Sequence, residues 1–182
     1  MRLKLFVTLF FVFCSSVIFS QVKEDNMDDP FDVSSISKKI DELGVPTVEN
    51  VQALKDTAYS LFSSGQWEEA AEALNLFSKN ANWIANLITS GLEPYYNASY
   101  DKQKDMDYSV LKSLVPIENL ANTYKKNRNE AMVMEAECYI KLNKKAEAVG
   151  ILNNALDVIN LDHDILWERA RKDLYDILGV QG

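Results

Sequence analysis

Ala58-Tyr59-Ser60-Leu61-Phe62-Ser63-Ser64-Gly65-Gln66-Trp67-Glu68-Glu69-Ala70-Ala71-Glu72-Ala73-Leu74-Asn75-Leu76-Phe77 reads as the middle of a helix hairpin. Ala58 is small enough to let a second helix approach, Gly65 ends the first helix, and Ala70 gives the matching small surface, with Trp67, Leu74 and Phe77 filling the space between. Upstream, Thr47 can cap a helix whose apolar face is Val48, Val51, Leu54, Ala58, Leu61 and Phe62. Downstream, Trp67 to Lys79 sets Ala70, Ala71, Leu74 and Phe77 against a polar side of Glu68, Glu69, Glu72 and Asn75. A single hairpin of this kind leaves an apolar face bare, so it predicts neighbours stacked on it.

The neighbour is in the sequence. A shift of 78 positions lays Ala53 on Ala131, Ala58 on Ala136, Leu61 on Tyr139, Gly65 on Asn143, Glu69 on Glu147, Ala70 on Ala148, Leu74 on Leu152, Asn75 on Asn153 and Asn82 on Asn160. Asn143 can replace Gly65 because both residues tolerate the left-handed conformation of a helix C-terminus. On these packing and turn positions the two stretches, each of about 33 residues, resemble tetratricopeptide repeats. They depart from that pattern where Asn82 and Asn160 stand in place of the usual proline, and where Thr57 and Glu135 occupy places usually apolar. Between the two units, Trp83, Ile84, Leu87, Ile88 and Leu92 form an amphipathic segment, and Gly91 and Pro94 divide it from a helix expected to run through Tyr95, Tyr96 and Tyr100 to about Lys104. Asp107 can cap another helix bearing Val110, Leu111, Leu114, Ile117, Leu120 and Tyr124, kinked or restarted at Pro116. Together these segments read as a stretched, degenerate middle repeat. Ser34–Leu43 fits an N-terminal capping helix, and a last helix after Asp162, bearing Ile165, Leu166, Trp167, Leu174, Tyr175 and Ile177, fits a C-terminal lid. The expected fold is all-α: about three stacked antiparallel hairpins, a tetratricopeptide-like solenoid over residues 34–182, with a capping helix at each end.

The start of the chain reads differently. Arg2 and Lys4 precede an apolar run, Leu5 to Phe13, and then small residues up to Ser20, the pattern of a secretory signal peptide over residues 1–20. Phe13 and the apolar Val17-Ile18-Phe19 argue against lipid attachment at Cys14. Residues 21–33 read as an acidic, disordered leader. The formal charge of the chain is −8, and loss of Arg2 and Lys4 would bring it to −10. Such a surface argues against nucleic-acid binding, and no integral membrane span is expected after cleavage. Cys138 would then be alone, so no internal disulfide can form; its apolar helical setting reads as a small buried residue. Export to the periplasm or cell envelope follows as the expected location.

No constellation for catalysis stands out. The single histidine, His163, lies between Asp162 and Asp164, too few ligands to specify a zinc site. No phosphate loop or nucleophile elbow occurs, and neither cofactor nor metal is expected. Binding is the better reading. The resemblance implies that the first helix of each hairpin lines a concave groove, through Gln52, Lys55, Tyr59 and Phe62 in one unit and Glu130, Val133, Glu137 and Ile140 in the other. The carboxylate clamp of chaperone-binding members is not reproduced, since Tyr59 and Glu137 stand where it needs asparagine and only Lys55 is basic. An aromatic and acidic groove suits an apolar or basic extended peptide, unless Tyr59 and Phe62 serve only to pack the next repeat. Tyr95, Tyr96 and Tyr100 form a second candidate, either an interface or a seal on the middle repeat. The expected function is a non-catalytic scaffold or adaptor that binds a protein or peptide, its oligomeric state open. The alternatives are an outer-membrane assembly or secretion accessory, or a small helical hydrolase or sugar-binding domain.

Overall fold

The computed structural model describes residues 34–159 and 165–180, and every regular element among them is helical. They are α1 (Ser34–Leu43), α2 (Val48–Ser63), α3 (Trp67–Ser90), α4 (Tyr100–Lys104), α5 (Tyr108–Lys141), α6 (Lys145–Val158) and α7 (Ile165–Leu178). The expected signal peptide, acidic leader and His163 lie outside the described residues.

The two hairpins are α2–α3 and α5–α6, and their turns match bond for bond. In the first, the amides of Ser64, Gly65 and Gln66 donate to the carbonyls of Ser60, Phe62 and Leu61; in the second, those of Leu142, Asn143 and Lys144 donate to Cys138, Ile140 and Tyr139. Each pair is offset by the same 78 positions found in the sequence. Gly65 (φ +74°) and Asn143 (φ +58°) are both left-handed, which lets the turn return the last carbonyls to the chain. Gly65→Ala is therefore expected to lose about 1–2 kcal/mol on conformation alone, because an added Cβ would meet Trp67 only at an ordinary 3.6 Å. Asn143→Gly should match wild type or exceed it. Urea unfolding of both variants checks this, and a Gly65→Ala protein as stable as wild type would refute it.

Packing follows chain order: α2 on α3, α3 on α5, α5 on α6, and α6 on α7, with α7 also touching α5. One buried cluster joins Val51 and Ala58 of α2, Leu74, Phe77 and Ala81 of α3, and Ala131, Met134 and Cys138 of α5. A second joins Val133 and Ala136 of α5, Leu152 and Ala155 of α6, and Ala170 of α7. The equivalent alanines Ala58 and Ala136, like Ala70 and Ala148, are all fully buried, as close helix approach requires. Equivalent positions on the other side of the first helix diverge: Ala53, Asp56, Thr57 and Ser60 of α2 are exposed, whereas Ala131, Met134, Glu135 and Cys138 of α5 are buried. The cause is that α3 covers that side of α5, and no comparable element among the described residues covers α2.

The middle of the chain departs from expectation. α3 does not stop near Lys79 but continues to Ser90, and α5 runs unbroken through Pro116 and into the second hairpin. The residues read as a middle repeat are thus shared between extensions of α3 and α5, which pack on each other. Residues 91–98 turn, with a cis Glu93–Pro94 peptide, and the only helix between α3 and α5 is the short α4. Asp107 caps α5 as expected, accepting from the Ser109 amide at 2.7 Å, and Thr47 caps α2 through the Asn50 amide at 3.1 Å. At the ends, α7 lays Leu166, Trp167, Leu174 and Ile177 on the second cluster, while Tyr175 stays exposed. α1 buries none of its residues and leaves Ile36 and Ile40 exposed, so it does not seal the stack. No helix among the described residues is long and apolar enough to cross a membrane.

Candidate functional site

The first helices of the two hairpins bring the expected groove residues together, but several are already engaged. Lys55 Nζ donates to Asn127 Oδ1 at 3.1 Å and lies 5.2 Å above the Tyr59 ring. The Tyr59 hydroxyl donates to Glu130 Oε2 at 2.9 Å, and its ring meets Phe77 edge-on. Burial, reinforced by the Glu130 carboxylate, pushes the Tyr59 phenol far above its usual value. Lys55 and Tyr59 therefore fasten α2 to α5. Val133, expected to line the groove, is fully buried in the second cluster; α6 and α7 close over the side of α5 that carries it.

What stays open is a hollow of about 290 Å³ between α2, the start of α3, α5 and α7, lined by Phe62, Trp67, Glu137, Ile140, Lys141 and Asp173. Phe62 and Trp67 stand edge-on with centroids 5.5 Å apart. Ile140 faces them from α5. Glu137 is held by Arg169 of α7, whose Nε and Nη2 each donate to one carboxylate oxygen. Arg169 also borders a smaller hollow of about 220 Å³ with Lys126, Glu130 and Leu166, so the ion pair stands between the two. Asp173 Oδ2 is buried without a hydrogen-bond partner among the described residues. Burial first, and then the Glu137 charge, raise the Asp173 carboxyl above its ordinary range. Phe62, Glu137 and Ile140 were legible from the repeat; Trp67, Lys141, Arg169 and Asp173 were not, because they come from the turn and from the lid.

The tyrosine candidate separates into three environments. Tyr95 is buried and donates to Glu118 Oε2 at 2.8 Å. Tyr96 accepts from Lys125 Nζ at 2.7 Å, with that ammonium over its ring. Tyr100 is 77% exposed. Tyr96 and Tyr100 share no helix face, since α4 begins only at Tyr100, and the first two tyrosines tie the 91–98 turn to α5.

Cys138 is a free, fully buried thiol, pushed up to about 11 by burial and by the Glu137 and Glu135 charges; that setting disfavours the thiolate. Among the described residues, no group of three or more histidine, cysteine, aspartate or glutamate side chains is placed to hold a metal ion. The chain matches no protein-family model, no curated protein and no solved structure.

Proposed function

We propose that this protein is an exported, non-catalytic scaffold of the bacterial cell envelope, built of tetratricopeptide-type hairpins, that binds an extended segment of another protein. The matching turns of α2–α3 and α5–α6, and the packing of each helix on the next in chain order, support the repeat reading. The observation that carries the function is the hollow between α2, the start of α3, α5 and α7. It sets an apolar wall of Phe62, Trp67 and Ile140 beside Asp173, with Lys141 also in the lining and Glu137 already taken by Arg169. A segment placing one apolar side chain on that wall and a lysine or arginine beside Asp173 would match it, since a carboxylate favours a charged donor.

The test is fluorescence anisotropy with short labelled peptides that pair an apolar with a basic residue, run beside versions carrying glutamate instead. Basic peptides are expected to bind, more weakly as salt rises, and Asp173→Asn should weaken them about tenfold. Equal affinity for the acidic versions, or no effect of either Asp173→Asn or Ile140→Ala, would reject this groove.

A further inference from the structure

The opposite face of α5 carries a cleft of a different character. It measures about 450 Å³ and lies between α3 and α6, with α5 as its floor, a size suited to a small ligand. At the floor is Glu135, only 3% exposed. Its Oε1 accepts from Asn75 Nδ2 at 2.9 Å, the one hydrogen bond it makes among the described residues. A carboxylate can accept about four hydrogen bonds, so most of its capacity is unused although nearly all of its surface has been taken from water. Burying a charge so poorly matched opposes folding, and an apolar side chain would serve the α3–α5 contact better. In the sequence Glu135 stands out as a departure from the tetratricopeptide pattern in a place usually apolar, and the fold gives that departure a location.

The rest of the lining carries both signs, Arg128 and Lys79 as cations and Asp157 as a second carboxylate. Arg128 is fixed by bonds to Asn82 Oδ1 (2.6 Å) and Asn129 Oδ1 (3.0 and 2.8 Å). Those bonds engage three of its five N–H donors. Lys79 lines the same cleft and forms no ion pair among the described residues. Met132 and Ile151 give a short apolar wall, and no described aromatic ring lines the cleft to stack on a sugar. A buried carboxylate on the floor, a second carboxylate from Asp157 of α6, two cations and a small apolar wall call for a compact molecule carrying both charges.

We propose that this cleft binds a small zwitterion, an α-amino acid or a compound of the same charge pattern, with its ammonium on Glu135 and its carboxylate on Arg128 and Lys79. The site is separate from the peptide groove and does not depend on it. The Coulomb and hydrogen-bond matches on both ends give specificity for the doubly charged form over either singly charged one.

The test is titration calorimetry of the purified protein with each of the common α-amino acids at millimolar concentration, followed by the N-acetyl and C-amide derivatives of any that bind. At least one amino acid is expected to give a saturable isotherm, lost on N-acetylation and weakened on amidation. Glu135→Gln should raise its Kd about tenfold or more, and Lys79→Gln, a surface change that spares the fold, several-fold. Asp173→Asn, in the peptide groove, should leave it unchanged. No saturable isotherm with any amino acid overturns the proposal, as does binding that survives N-acetylation or the Glu135→Gln change in a folded variant.

Discussion

Phe77→Ala is expected to cost about 3–5 kcal/mol of stability, the largest effect of any single truncation considered. Phe77 is 1% exposed and heads the fully buried side chains by size. It lies where α2, α3 and α5 meet, and its ring is the partner against which Tyr59 stands edge-on at 6.2 Å. Truncation would leave a cavity bounded by three helices, none of which can move inward without breaking contacts elsewhere. Loss of the aromatic pair adds to the loss of burial. The unfolding should nevertheless stay a single step. α5 gives Ala131, Met134 and Cys138 to one cluster and Val133 and Ala136 to the other, and Tyr139 packs on both, so neither half can melt while α5 remains intact. Urea titrations followed by circular dichroism and by tryptophan fluorescence should coincide. Divergent curves would mean that the hairpins unfold independently, and a loss below about 1 kcal/mol would place Phe77 outside the core.

The second large effect is a loss of stability with rising pH that belongs to Glu135. Burial raises its carboxyl to about 7 from an ordinary 4.5, against smaller lowering effects of the Asn75 hydrogen bond and the Lys79 charge. Lys79 faces it from α3; Arg128, Cys138 and Tyr139 lie on its own helix, and Asp157 of α6 lines the same cleft. Between pH 4.5 and 7 the folded protein keeps a proton that the unfolded chain releases. Stability contributed by the protonated form is therefore complete below pH 4.5, falls through this window, and is gone above 7, a change of about 3 kcal/mol. Glu135→Gln removes the titration and retains an acceptor for Asn75, so the variant should be the more stable protein at pH 8 and close to wild type at pH 5. Denaturation midpoints measured from pH 5 to 8 decide the matter, and parallel profiles for the two proteins would count against it.

The turns and small-residue contacts were readable in the sequence because their chemistry is local. Gly65 and Asn143 are dictated by a backbone angle, and Ala58, Ala70, Ala136 and Ala148 by the distance between two helices. The lengths of α3 and α5 were not readable. The polar Asn80, Asn82 and Asn127 lie inside these helices: Asn80 donates to the Leu76 carbonyl of its own helix, while Asn82 accepts from Arg128 and Asn127 from Lys55 across to a neighbouring helix. Asn82 and Asn127 are helix-interior residues once a partner helix is alongside. The groove was partly legible, since the repeat marks which helices line it, but it cannot say which positions the lid will cover. Val133 was lost to that cover, and Asp173 and Arg169 were gained with it. Pro94 gave no helix start because the segment before α4 is held by Tyr95 and Tyr96 to α5 instead.

The bare side of α2 has a bearing on how copies of this chain can meet. Gln52 and Asp56 are exposed there and bonded to each other at 2.8 Å, with Thr57 and Ser60 beside them. A second molecule adding its far end to this surface would strip water from a carboxylate and gain almost no apolar area in return. Contacts that repeat head to tail without closing are the ones that grow into open fibres. Among the described residues, this side of α2 therefore gives such growth polar side chains that keep their water, and directs any contact between copies to other faces.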